Sequence, residues 1–87
     1  MNSRQTIMIV DDTQINIAIL VEALHDNYEV IVAFNGLNAL ELLIDQKPDL
    51  ILLDIIMPEM DGYDVLKTIK NNSELKHITC YFTIGSY

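Results

Sequence analysis

Leu50-Ile51-Leu52-Leu53-Asp54 and Ile7-Met8-Ile9-Val10-Asp11-Asp12 share one pattern: four apolar residues in a row, stopped by aspartate. A strand with one wet face alternates apolar and polar side chains, so an unbroken run of this length marks a strand covered on both faces. Outward from these two runs, the chain alternates strand-like and helix-like segments. From Thr13 to Asp26, Ile15, Ile19, Val21 and Leu24 stand among Gln14, Asn16, Glu22 and His25 at helical spacing, with Asp12 or Thr13 available to cap the first turn. Glu29 to Ala33 is β-branched and stops at Asn35-Gly36, after which Leu37, Leu40, Leu42, Leu43 and Ile44 predict a second helix ending near Lys47-Pro48. Met57-Pro58-Glu59-Met60-Asp61-Gly62 is turn chemistry. Val65, Leu66 and Ile69, with Asp64, Lys67 and Lys70 between them, predict a third helix to about Asn71, and Tyr81 to Ile84 a last strand. This β-α-β-α-β-α-β order predicts an α/β fold, a doubly wound parallel sheet with helices on both faces.

With 87 residues the chain is one small domain, and 51% hydrophobic residues with two prolines exclude a disordered or linker-like polymer. Five basic residues against 13 acidic give a net charge of −8, a field that repels nucleic acid and anionic lipid and favours cations or basic partners. One cysteine, Cys80, excludes an internal disulfide and fits a cytoplasmic location. Only four apolar residues separate Thr6 from Asp11, too few for a signal-peptide core or a membrane span. No Cys/His cluster has zinc spacing, and no Gly-x-x-x-x-Gly-Lys loop supports nucleotide hydrolysis.

Ligands of open α/β sheets bind beyond the carboxyl ends of the strands, where Asp11, Asp12 and Asp54 stand. If the two strands are neighbours, three carboxylates converge, and a hard divalent cation, Mg²⁺ before others, relieves their repulsion. Taken singly, Asp12 can equally cap the first helix and Asp54 can equally open a turn. His25 and His77 lie among polar neighbours and read as surface residues. Met57 and Met60 read as packing at a turn, Tyr63 as packing at a helix start, and Cys80 as an inert strand residue.

The stretch Ile9-Val10-Asp11-Asp12, followed by Leu52-Leu53-Asp54-Ile55-Ile56-Met57-Pro58-Glu59-Met60-Asp61-Gly62, closely resembles the receiver domain of bacterial two-component response regulators. The second segment is the specific one, and the resemblance runs from about Ile7 to Ile78. It implies a flavodoxin-like strand order, 2-1-3-4 in a chain of this length. It also implies that Asp54 accepts a phosphoryl group from a histidine kinase's phosphohistidine. Asp12 would ligate Mg²⁺ directly, Asp11 directly or through water, and the backbone carbonyl of Ile56 would complete the protein's ligands, with Mn²⁺ as a substitute. Pro58 and Gly62 would shape the loop after the acceptor. Such a domain is a signalling module and not an enzyme acting on others.

After Ile78 the resemblance fails. The family continues with a proline-led strand ending in Ser or Thr, a helix, a fifth strand ending in Lys, and a last helix, whereas this chain ends at Tyr87. Residues 1–87 are therefore expected to form a single truncated receiver domain, lacking the fifth strand and the last two helices, with 79–87 an aberrant tail. One synonymous coding of His77 to Tyr87 with a single A deleted reads His-Ile-Pro-Val-Ile-Leu-Leu-Ser-Ala-Pro, restoring the family's strand with its serine where Ile84 stands. A frameshift after Ile78 is the expectation and a divergent natural tail the alternative; the DNA sequence behind His77 distinguishes them. Ile84 is apolar and Thr83 belongs to the opposite sheet face from it, so output is expected to be impaired.

Three functions compete at this point. The first is the phospho-accepting receiver, partnered by a histidine kinase or phosphotransfer protein. The second is a non-phosphorylated interaction module that uses the remaining fold for self-association, because the truncation removes the switch hydroxyl and the lysine; a homodimer or larger species is expected, since a short sheet leaves an edge and an apolar face to cover. The third, an aspartyl-nucleophile phosphatase, ranks last because Ile56 stands where a second Asp is wanted.

Overall fold

The computed structural model describes residues 4–54 and 62–83. Four parallel strands, β1 (Thr6–Val10), β2 (Glu29–Ala33), β3 (Leu50–Asp54) and β4 (Thr79–Thr83), form one sheet in the order β2-β1-β3-β4. Three helices connect them: α1 (Gln14–Leu24), α2 (Gly36–Gln46) and α3 (Gly62–Lys70). This is the expected doubly wound, flavodoxin-like topology with strand order 2-1-3-4.

The two apolar runs are the central strands, side by side, and alternate residues of each enter different cores. On one face Met8, Val10, Ile51 and Leu53 meet Ala39 and Leu43 of α2 and Val65 and Ile69 of α3, all fully buried. On the other face Ile7 and Ile9 meet Ile17 of α1, with Val30, Val32, Leu50 and Leu52 only half-buried. Both faces are covered, but one helix covers the second face where two cover the first. Helix α1 is apolar around most of its circumference, leaving Ile15 and Ile19 exposed at 71% and 62%.

Local chemistry sets the element ends. Asn35 Oδ1 accepts from the Asn38 backbone N–H at 2.8 Å while Asn38 Oδ1 accepts from the Phe34 N–H at 3.3 Å, a reciprocal cap that starts α2. Lys47 ends that helix in the left-handed region at φ 47°, and the buried Pro48 prevents its continuation. Asp49 then ties β3 to β1, its carboxylate accepting from the Thr6 N–H at 2.7 Å and its own N–H donating to the Thr6 carbonyl at 2.9 Å.

Strand β4 begins two residues before the expected Tyr81, because Thr79 and Cys80 already pair with Leu50 and Ile51. Five of the residues assigned to the aberrant tail thus complete the sheet. The register sets Thr83 opposite Asp54, while Ile84 lies outside the described residues.

Candidate functional site

Strand β1 pairs Val10 with Leu53 of β3, so the next residues along, Asp11 and Asp54, emerge level with one another at the sheet's carboxyl edge. Adjacent strands lie about 4.8 Å apart, which sets the scale of their separation. Both carboxylates are buried, at 3% and 2% exposure, while Asp12 is exposed. Oxygens of all three lie within 4.8 Å of one another. Among the described residues no other such group of His, Cys, Asp or Glu occurs.

Named groups hold Asp11 and engage Asp12. The Asp11 N–H donates to the Ala33 carbonyl at the end of β2, at 3.1 Å. Its Oδ1 accepts from the Thr13 N–H at 2.9 Å, and its Oδ2 from the Asn16 side-chain amide at 3.4 Å. Thr13 is the N-cap residue of α1, yet its hydroxyl makes no capping bond and donates instead to Asp12 Oδ1 at 3.4 Å. The cap open in the sequence is thus not made by the Thr13 side chain, and Asp12 remains at the acidic edge. The positive end of the α1 dipole begins two residues after Asp12 and favours negative charge there.

The donor set fits a small hard cation. Mg²⁺ takes oxygens at about 2.1 Å in octahedral geometry, so ligand oxygens on one ion stand about 3–4.2 Å apart. A cluster spanning 4.8 Å needs only a small closure to reach that range. Mg²⁺ at ten times its Kd is expected to stabilise the fold by about 1.4 kcal/mol, raising the thermal midpoint by about 5–10 °C. A melt with and without the ion checks this; an unchanged midpoint, or an equal rise in Asp12→Ala, contradicts the site.

The Ile56 carbonyl lies outside the described residues, as do Met57, Pro58 and Met60, and Gly62 opens α3. His25 and His77 are exposed, as expected, and His25 sits 3.6 Å from Asp26. Cys80 is half-buried; burial raises its thiol pKa, with Lys70 acting in the opposite direction, so the reactive thiolate is scarce. Two features escaped the sequence reading. One is Asn16, whose only signal was a poor helix former one turn beyond an acidic pair. The other is a groove of about 490 Å³ lined by Gln14, Ile15, Ile17, Ala18 and Phe34, close in sequence to Asp12.

A parallel sheet in the order β2-β1-β3-β4 with three carboxylates at the ends of its two central strands defines an α/β domain of the flavodoxin-like class with an acidic site at its carboxyl edge. The chain belongs to the response regulator receiver domain family, whose model matches residues 7–83. The match runs five residues beyond Ile78, through β4. The chain is 46% identical over 83 residues to a probable cyclic di-GMP phosphodiesterase of Vibrio cholerae, covering 95% of this chain and 19% of that protein. It is 44% identical over 77 residues to the polar-differentiation response regulator DivK of Brucella anthropi, covering 85% of this chain and 61% of DivK. The chain therefore spans about a fifth and three fifths of these two relatives.

Among solved structures, the phosphorylated cyanobacterial phytochrome response regulator RcpA matches at TM-score 0.89 and 32% identity, over 97% of this chain and 67% of that one. The Mn²⁺-bound form of response regulator Rcp1 matches at TM-score 0.85 and 32% identity, over 95% and 67%. Receiver domains are signalling domains, not enzymes in the ordinary sense; the phosphodiesterase similarity is confined to the small part of that protein that this chain covers.

Proposed function

We propose that this domain accepts a phosphoryl group on Asp54 from the phosphohistidine of a histidine kinase or phosphotransfer protein. Asp11, Asp12, Asp54 and, by the family resemblance, the backbone carbonyl of Ile56 would hold Mg²⁺ or Mn²⁺ for that step. The observation that carries this reading is the gathering of three carboxylates within 4.8 Å, with Asp54 ending β3. The phosphorylated RcpA and the Mn²⁺-bound Rcp1 support it as relatives of the same fold.

A carboxylate oxygen of Asp54 attacks phosphorus in line with the departing imidazole nitrogen. The O–P bond forms as the P–N bond breaks, its electrons stay on the imidazole, and that ring takes a proton from solvent. The product is an acyl phosphate on Asp54. When bound, the divalent ion supplies neutralising charge to the phosphoryl oxygens and to the acids. Thr13 and Asn16 hold Asp11 in place through their N–H groups. Positioning and charge carry the step, so no general base is needed.

Incubating the chain with a small phosphodonor, with Mg²⁺ and with a chelator, tests this. Mg²⁺-dependent, alkali-labile label is the expected result. Absence of label with the ion present favours the second reading, a non-phosphorylated interaction module. That reading draws on the exposed Ile15 and Ile19 of α1 and on Phe34, 52% exposed, beside the α1 groove. Output is expected to be impaired, because the resemblance puts apolar Ile84 at the sequence position of the family's switch hydroxyl.

Two copies joined across the α1 face would cover Ile15, Ile19 and the half-buried Val32 and Leu52, giving a homodimer or a larger species. A net charge of −8 opposes this. Screening within about 10 Å at 0.1 M salt weakens that opposition. Light scattering is expected to show salt-favoured dimers; a dispersed monomer at high concentration in low and high salt overturns the proposal. The location proposed is the cytoplasm, consistent with a single cysteine, and among the described residues no helix is long and apolar enough to cross a membrane.

A further inference from the structure

Asn16 stands at the third position of α1, where asparagine offers little to the helix: it is a weak helix former in that setting. Its side chain is half-buried and reaches across to strand β1's end, where its amide donates to Asp11 Oδ2 at 3.4 Å. The other oxygen of Asp11 is taken by the Thr13 N–H at 2.9 Å, and the Asp11 backbone N–H by Ala33. The two donors differ in kind. Thr13 holds Oδ1 through backbone that any residue would supply, whereas the hold on Oδ2 depends on the side chain at position 16.

Asp11 and Asp54 are both buried, and one oxygen from each of the three acids lies within 4.8 Å of the others. Free to rotate about its Cα–Cβ and Cβ–Cγ bonds, the Asp11 carboxylate would swing away from the other two acids to lower the repulsion. An amide on Oδ2 opposes that rotation and offsets part of the charge with its dipole. The carboxylate is then aimed before a cation arrives, and binding loses less rotational entropy.

We propose that Asn16 is a positioning residue of the acidic site, fixing the Asp11 carboxylate and so setting the cluster's affinity for divalent cations. The proposal rests on reading Asp11, Asp12 and Asp54 as a cation site and adds a residue that acts through Asp11. Removing a hydrogen-bond partner of a metal-ligating group commonly weakens binding by about 10–100-fold. The 3.4 Å bond is long, which places the expected loss at the lower end, about ten-fold.

The test is a Mn²⁺ titration of the whole chain, with free Mn²⁺ counted by electron paramagnetic resonance. Asn16→Ala is expected to bind Mn²⁺ about ten-fold more weakly, with an unchanged far-ultraviolet circular dichroism spectrum in the absence of metal. Asn16→Ser, which keeps a polar group too short to reach Oδ2, is expected to behave alike and serves if the alanine variant folds poorly. In an Asp11→Asn background the same Asn16→Ala change is expected to have no effect on affinity. An unaltered chain that binds no Mn²⁺ overturns the cation site and this proposal with it. Binding in the unaltered chain that Asn16→Ala and Asn16→Ser leave unchanged overturns this proposal alone. A ten-fold loss that persists in the Asp11→Asn background also overturns it, because Asn16 would then act by another route.

Discussion

Asp54→Asn is expected to abolish phosphoryl labelling while making the metal-free protein more stable. The amide keeps the size and planarity of the carboxylate but has no anionic oxygen to attack phosphorus, so loss of label should be complete. Stability moves the other way because Asp54 is 2% exposed and one of its oxygens lies within 4.8 Å of an oxygen of Asp11 and of one of Asp12. Like charges at such distances, at the effective dielectric constant of partly buried sites, repel by roughly 1–3 kcal/mol. Removing one of them is expected to raise the thermal midpoint by about 5–15 °C without metal. It should also shrink the rise that Mg²⁺ produces. A phosphodonor assay and paired melts check both halves; residual label at a substantial fraction of the unaltered level would place the acceptor elsewhere.

The second large effect concerns the unequal faces of the sheet. Ile51 and Leu52 are neighbours in β3, with opposite burial: Ile51 is fully buried against the α2 and α3 core, and Leu52 is half-buried on the α1 face. Truncating Ile51 leaves a cavity walled by the side chains of two helices and of the neighbouring strands, so Ile51→Ala is expected to cost about 3–4 kcal/mol. Total stability for a chain of this size is roughly 4–13 kcal/mol, so that single change removes a large share of it. Leu52→Ala is expected to cost about half as much, because part of the lost surface already faces water. Urea unfolding of the two variants measures the difference. Equal costs would mean that Leu52 is as well covered as Ile51, as it would be if self-association persisted under the conditions of the measurement.

Much of the fold was legible because its signals are local. Two four-residue apolar runs cannot be half-wet strands, a Pro after Lys47 must end a helix, and strands alternating with helices leave a parallel sheet as the economical solution. Element type followed from those patterns, and boundaries drifted by a residue or two where nothing local marks the edge. At β4 the start is set by pairing with Leu50 and Ile51, partners about thirty residues away, so Thr79 and Cys80 carry no sign of it.

The site divides along the same line. By itself the sequence determined that aspartates close the two buried strands and that the segment following Asp54 is of the receiver type. It left open whether Asp12 caps a helix, and it showed Asn16 only as one polar residue among others on α1. Tertiary structure decided that β1 and β3 are adjacent and level, which brings Asp11 beside Asp54. It also turned the Thr13 hydroxyl toward Asp12 and the Asn16 amide onto Asp11. The reason is physical: burial of an apolar run is written in the identity of consecutive residues, whereas strand adjacency and side-chain direction depend on long-range packing and pairing that no single segment contains.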